Sequence, residues 1–180
     1  MNGEFDITPF LAGRAKRFLA YLIDVLPISI ITFLIFYFYL GFDQLMETYV
    51  ANPEDLDMRE DFIIQRDWIS RVSFSVWIFY CAIMESSPYQ ATVGKMAMKM
   101  KVVDEFGEPL TPMKSGIRNL SKIISMIVFS IGFLWILIDR KNQGWHDKIA
   151  RTYVVDQLLF EGAKTESTEE SEGGEISDLE

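Results

Sequence analysis

The stretch GRAKRFLAYLIDVLPISIITFLIFYFYL, Gly13 to Leu40, decides how the rest of the chain is read. From Phe18 to Leu40 its 23 residues are apolar with one charged exception, Asp24. At 1.5 Å per residue such a helix measures about 35 Å, enough to cross a hydrocarbon core of about 30 Å. The run is too long for the apolar part of a signal peptide, and no small-x-small cleavage site follows it, so it reads as a retained span. Arg14, Lys16 and Arg17 stand immediately before it. Positive charge beside a first span predicts a cytoplasmic amino terminus. Pro27 follows Asp24 by three residues and predicts a kink, because it removes a backbone donor.

Working outward, residues 1–16 form an amphipathic and basic lead, expected on the membrane surface. Residues 41–67 carry Asp43, Glu47, Glu54, Asp55, Asp57, Glu60, Asp61 and Asp67 against Arg59 and Arg66. That acidic stretch predicts an external loop of short helical pieces or partial disorder. A second span is expected at 68–84, with Trp68 and Arg71 at its outer end and Glu85 at its inner end. In the segment that follows, Met96, Met98, Met100 and Val102 alternate with Ala97, Lys99, Lys101 and Val103, ahead of a turn at Gly107 and Pro109. That pattern predicts a small cytoplasmic β element, strand–turn–strand, with a helical turn at 94–98 and an apolar face on lipid headgroups.

A third apolar segment covers 120–138. It has Lys114 and Arg118 before it, and Arg140, Lys141, Lys148 and Arg151 after it. Two solutions stay open: a third span that violates the charge bias, or a re-entrant hairpin broken near Ser130–Gly132. The echo of KVVD at 101–104 in YVVD at 153–156 favours the hairpin, since two strands that pair must share a side. Residues 157–180 are acidic and rich in Ser and Gly, and predict a disordered tail. The last 20 residues hold eight acids and one lysine, so most of the net charge of −9 belongs to them.

Several functional classes are disfavoured. The single cysteine, Cys81, permits no intrachain disulfide framework, and one cysteine with one histidine, His146, argues against a zinc site. No basic patch interleaved with aromatics points to nucleic acid. No nucleotide fingerprint and no Ser/His/Asp set points to an enzyme, so no catalytic residue and no cofactor are expected. His146 beside Trp145 reads as a packed surface residue, and the methionine row as an apolar strand face.

Asp24 remains. A carboxylate at the centre of a lone membrane helix costs about 2.5–3.5 kcal/mol, so it is expected to face protein or water. Arg17 lies seven residues before it, on the same helix face but about 10 Å away along the axis, too far for a direct pair. Two readings stand side by side: a polar clasp between helices, or a carboxylate that binds a cation or proton. Glu85 ends the second span on the side where Arg17 lies, so an Arg17–Glu85 pair is expected, supported by Ser86, Ser87, Tyr89 and Thr92.

RFLAYLID in the first span, ESSPYQATVGKMAMKMKVVDEFGEPLT after the second, then IRNLSKIIS and DRKNQGWHDKIARTYVV, resemble in that order the RDD family of prokaryotic membrane proteins. The likeness covers about Leu11–Asp156, so that 17–156 would be the RDD-type membrane domain. The family is named for one arginine and two aspartates. Arg17 and Asp24 match its first-span pair. Glu85, Thr92, Gly94 and Lys95 match an E…TxGK stretch, Arg118 and Asn119 an RN pair, and Asp147 the late HD element. The second aspartate is Asp147 or Asp139, with Asp147 preferred. The resemblance implies an α-helical protein of the cell (inner) membrane, with two transmembrane helices, the third apolar segment and both termini cytoplasmic.

Some members are linked to monovalent cation/proton exchange. One function this implies is a component of such transport, with Asp24 binding Na⁺ or H⁺. Two or three apolar segments cannot enclose a pathway, so that reading needs a homo- or hetero-oligomer. The alternative is a non-transporting scaffold or assembly protein with a cytoplasmic partner-binding face. Beyond the lipid bilayer and these ions, no partner is implied.

Overall fold

The computed structural model describes residues 6–127, 135–137 and 139–166. The apolar run forms one helix, α1 (Arg14–Tyr39), which leaves Gly13 in extended backbone and continues through Pro27. Among the described helices it alone has the length and hydropathy of a membrane span, and 17% of its most apolar window is buried. A core helix of a water-soluble domain hides its apolar face. Here Phe18, Leu26, Ile30, Ile31 and Phe38 are exposed, the surface a helix presents to hydrocarbon.

Gly41 adopts φ +75°, a left-handed conformation that glycine reaches without strain, and reverses the chain. The expected external loop at 41–67 is largely helical. Helix α2 fills Phe42–Ala51, and α3 runs from Leu56 to Glu85. The helix starts early because Asp55 caps it, accepting from the amides of Asp57 and Met58 at 3.0 and 3.3 Å. Phe42 stacks on Phe62 with centroids 5.6 Å apart, Phe62 stacks on Tyr49 at 4.4 Å, and Phe33 meets Phe42 edge-on at 5.9 Å. These rings clasp the carboxyl-terminal end of α1 to the amino-terminal part of α3. The second expected span, 68–84, lies within α3, whose hydropathy falls short of that of α1.

Beyond α3 come α4 (Val93–Ala97), β1 (Met100–Asp104), α5 (Pro112–Ile127), a 3₁₀ turn at Trp135–Leu137, α6 (Trp145–Ile149) and β2 (Thr152–Asp156). Strands β1 and β2 pair antiparallel with Val102 opposite Val154. The two echoed sequences are therefore partners. The expected strand–turn–strand is corrected: Met96 belongs to α4, the strand begins at Met100, and the residues after the turn form no second strand but meet β1 through an isolated bridge from Val103 to Pro109 and through the Asp104 amide donating to the Glu108 carbonyl at 2.9 Å. Nor does the sheet rest on headgroups. Val102 and Val154 pack with Met100, Leu110, Ala12 and Ala20, while Val103 and Val155 pack with Ile7 and Phe160. Within the amino-terminal lead, Ile7, Phe10, Leu11 and Ala12 pack on the sheet, with the Ala12 amide donating to the Val154 carbonyl at 2.9 Å.

The expected tail disorder does not begin at 157. Residues 157–166 are helical, and Phe160 is buried under the sheet. Lys101 pairs with Glu161, and Lys164 with Glu108 at 2.9 Å. The rest of the tail, and residues 128–134 where the hairpin break was expected, lie outside the described residues. Helix α5 is inverted relative to a soluble amphipathic helix. Ser115, Arg118, Asn119 and Lys122 are buried, while Met113, Ile117, Leu120 and Ile123 are exposed. Polar groups point to the protein and apolar groups away from it.

Candidate functional site

Three buried carboxylates organise the junction between the long helices and the segment after them. Asp24, on α1, does not pair with Arg17. Its Oδ2 accepts from Thr92 Oγ1 at 2.6 Å, and its Oδ1 accepts from the Gly94 amide at 2.8 Å and from Tyr80 Oη at 3.1 Å. Tyr80 Oη in turn accepts from the Val93 amide at 2.7 Å. Asp24 thus fastens the start of α4 to α1. A Cβ on Gly94 would lie 2.1 Å from the Ala20 carbonyl oxygen and 2.9 Å from the Asp24 carboxyl carbon. Only glycine allows that approach.

Glu85 ends α3, fully buried. The expected Arg17–Glu85 pair does not form. Glu85 Oε1 accepts from Lys95 Nζ, and Oε2 from Arg118 Nη1 and from Asn119 Nδ2, the last at 2.9 Å. Thr92 is committed to Asp24, Ser86 and Ser87 donate to carbonyls of their own helix, and Tyr89 is exposed, so none of these supports Glu85. The TxGK stretch now has a division of labour: Thr92 and Gly94 hold α1, and Lys95 holds α3.

Arg17 turns instead to Asp147 on α6. Its Nη2 lies 2.5 Å from Asp147 Oδ2, and its Nη1 donates to the Asn142 carbonyl. Asp147 Oδ2 also accepts from the Gly144 amide at 3.0 Å, and Oδ1 takes a fork from Arg118, Nη2 at 2.6 Å and Nε at 3.0 Å. Charges therefore alternate through five elements: Arg17 on α1, Asp147 on α6, Arg118 on α5, Glu85 on α3 and Lys95 on α4. Arg118, 1% exposed, is the central link. Burial alone would lower its guanidinium pKa, but Glu85 and Asp147 outweigh that and raise it. Burial likewise works to raise the Asp147 carboxyl, and Arg17 and Arg118 hold it well below the usual carboxylate range.

Asp139 stands apart from this chain. It accepts from Lys148 Nζ at 2.5 Å and from the amides of Lys141 and Gln143 at 3.0 and 3.1 Å, and so shapes the turn before α6. His146 is buried, not a surface residue. Burial pushes its pKa down to about 3, against the pull of Asp147, so the imidazole is neutral at physiological pH. Among the described residues no cluster of three His, Cys, Asp or Glu side chains could hold a metal ion.

Two participants were not visible in sequence. Tyr80 sits mid-way through an apolar run and carries no spacing signal. Lys122 was hidden by its place in the third apolar segment, although Lys114, Arg118 and Lys122 recur every four residues and so share a helix face.

Comparison with known proteins agrees with this geometry. The profile of the RDD family matches residues 11–151, which contain every member of the alternating chain. The uncharacterized protein YxaI of Bacillus subtilis (strain 168) is 30% identical over 149 residues, covering 80% of this chain and 96% of that protein. The proline-rich antigen of Mycobacterium leprae (strain TN) is 27% identical over 150 residues, and the match spans 57% of its length and 76% of this chain. A proline-rich antigen homolog of Mycobacterium tuberculosis is 39% identical over 66 residues, 36% of this chain and 28% of that protein. No solved structure matches. With the profile covering most of its length, and with one long apolar helix exposed as such families require, the chain belongs to the membrane-associated RDD family.

Proposed function

We propose that the chain is a non-transporting membrane scaffold. Helix α1 and the 68–84 part of α3 cross the inner membrane as an antiparallel pair, and the alternating charges dock a cytoplasmic module of α4, α5, α6 and the sheet onto their inner ends. The outer surface of that module is the partner-binding face. One observation carries this reading. All six oxygens of Asp24, Glu85 and Asp147 accept hydrogen bonds from protein donors. A carboxylate that exchanges Na⁺ for H⁺ must offer lone pairs to the ion, and those of Asp24 are directed at an amide and two hydroxyls.

The test uses the full chain in sealed vesicles with an internal pH dye and an imposed Na⁺ or K⁺ gradient. Wild type and Asp24→Asn are expected to give no cation-dependent proton flux above empty vesicles. Asp24→Leu, which strands the Gly94 amide and the Thr92 and Tyr80 hydroxyls, is expected to destabilise by about 1–3 kcal/mol for each buried donor left unpaired. Flux that is present in wild type and lost in Asp24→Asn would overturn the scaffold reading in favour of transport.

A further inference from the structure

Helix α5 carries its amphipathicity backwards. At 100° per residue, Met113, Ile117 and Leu120 lie within about 60° of one another, and Ser115, Arg118, Asn119 and Lys122 centre about 180° away. The polar four are buried, whereas Met113 is 77% exposed and Leu120 58%. In a water-soluble domain the two faces would be exchanged. A contiguous apolar face of this kind marks an interaction surface.

What covers it follows from the level at which α5 sits. Ser115 Oγ donates to the Ala82 carbonyl at 2.8 Å, Arg118 and Asn119 reach Glu85, and the Lys122 ammonium lies 4.3 Å from the centroid of the Trp77 ring. The contacts with α3 thus run from its last residue back to Trp77, about 12 Å along the helix. Trp77 meets Tyr21 of α1 edge-on at 5.4 Å. Tyr21 lies about 4.5 Å inside Phe18, where the apolar run begins. Helix α5 is therefore level with the apolar part of α1 and does not stand beyond its end. Over the same stretch of α3, Phe79 and Ile83 are exposed. The surroundings at this level meet apolar side chains on all three helices.

We propose that α5 is seated in the lipid of the leaflet beside the module. Met113, Ile117, Leu120 and Ile123 lie against acyl chains, and the opposite face seals the links of Arg118 to Glu85 and Asp147 from hydrocarbon. The lipid boundary then begins at Pro112, not at Leu120, in a stretch whose Lys114, Arg118 and Lys122 disguise it. An interfacial helix ordinarily turns its charges to water. Here the protein takes the place of water, because Glu85 and Asp147 supply the partners. Up to Ile123 the exposed side chains of α5 are uncharged, so the face takes acyl chains without regard to headgroup. The proposal rests on α1 and the 68–84 part of α3 crossing the membrane, and it is independent of whether the protein carries ions.

The full chain, with Cys81→Ser and either Ile117→Cys or Leu120→Cys, is spin-labelled and reconstituted in phosphatidylcholine vesicles. Collision of the label with oxygen, which concentrates among acyl chains, is compared with collision with a water-soluble nickel chelate. Leu26→Cys on α1 and Phe79→Cys on α3 report the spans, and Asn52→Cys reports water. Labels at 117 and 120 are expected to favour oxygen as the label at 26 does, and to read alike in phosphatidylglycerol vesicles. Should either variant not fold, Met113→Cys and Ile123→Cys carry the same test. Oxygen preference at 26 and 79 with nickel preference at 117 and 120 overturns the proposal and leaves the spans standing. Low access of both reagents at 117 and 120 also overturns it, and gives the face to protein, a second copy or another segment of this chain. A preference confined to one headgroup overturns the acyl-chain assignment. Nickel preference at 26 and 79 removes the spans and the proposal with them.

Discussion

Arg118→Met tests the alternating charges at their centre. The substitution keeps a long apolar stem and deletes the guanidinium. Asp147 Oδ1 loses both of its donors, and Glu85 Oε2 keeps only Asn119. Arg17 and Lys95 still pair the other oxygens, so neither carboxylate is abandoned. Removing one partner of a buried pair costs about 3–5 kcal/mol, chiefly because the remaining charge stays buried. For a chain of this size one kcal/mol moves Tm by about 2–4 °C, so a loss of about 6–20 °C is expected. The assay is a thermal scan of intrinsic fluorescence on the full chain in one detergent at one scan rate. Arg118→Lys supplies a point charge without the fork and should fall between the two. Asp139→Asn breaks a partly exposed pair with Lys148 and should cost no more than about 1 kcal/mol. An Arg118→Met shift within that of Asp139→Asn would refute the idea that the network holds the module in place.

Three further outcomes are expected. Gly94→Ala drives a Cβ to 2.1 Å from the Ala20 carbonyl oxygen, so α4 must leave α1, and a loss beyond the usual 1–3 kcal/mol of overpacking (about that range) should appear as lower folded yield in detergent; an unchanged yield and Tm would contradict the contact. His146 is neutral in the fold down to a pKa of about 3, whereas an unfolded imidazole takes up its proton near its ordinary 6.5. Stability should therefore fall as pH drops from about 6.5 toward 3, by up to about 1.4 kcal/mol per pH unit, and His146→Gln should flatten that slope in Tm measured from about pH 7.5 to about 4.5; parallel slopes would show that other groups set it. In a Cys81→Ser background, Glu108→Cys and Glu166→Cys should both resist an impermeant maleimide in intact cells and label after lysis, while Asn52→Cys labels at once. Labelling of residues 108 and 166 from opposite sides would break the β1–β2 pairing.

What the sequence made legible was what depends on local pattern. The 23-residue run became α1 because length and hydropathy suffice to specify it. The KVVD and YVVD echo identified β1 and β2, because β-branched runs of equal length seek a partner. Arg17, Asp24, Glu85, Lys95, Arg118 and Asp147 were all singled out, but their partners were not. Pairing depends on which helices meet, and spacing within one helix says nothing of that. Hence Arg17 was assigned to Glu85, which shares its end of the helical pair, when Asp147 lay nearer in space. The strand start was misplaced for a related reason. Alternation of apolar residues from Met96 fits a strand, but Thr92 caps a helical turn there, with its Oγ1 facing the Lys95 amide at 3.4 Å. A side-chain cap outweighed two residues of period-two pattern.

The alternating charges also bear on how the chain chooses its topology. Arg17 precedes both spans, Glu85 closes the second, Arg118 precedes the third apolar segment and Asp147 follows it. A chain that crossed the membrane once between α5 and α6 would put Asp147 across the bilayer from Arg17 and Arg118. It would leave two arginines facing Glu85 alone and separate β2 from β1. These pairings hold Arg118 of α5 beside Asp147 of α6, and β2 beside β1, on one side. The basic residues on both flanks of the third segment favour the same arrangement through the positive-inside bias. Buried ion pairs are weak contributors to stability when set against apolar packing, but they discriminate sharply between arrangements, because a mispaired one leaves a charge in hydrocarbon. The cost of placing three carboxylates and four cations among helices is then a cost imposed on every wrong topology, and the native one is the arrangement in which Asp147 reaches both arginines.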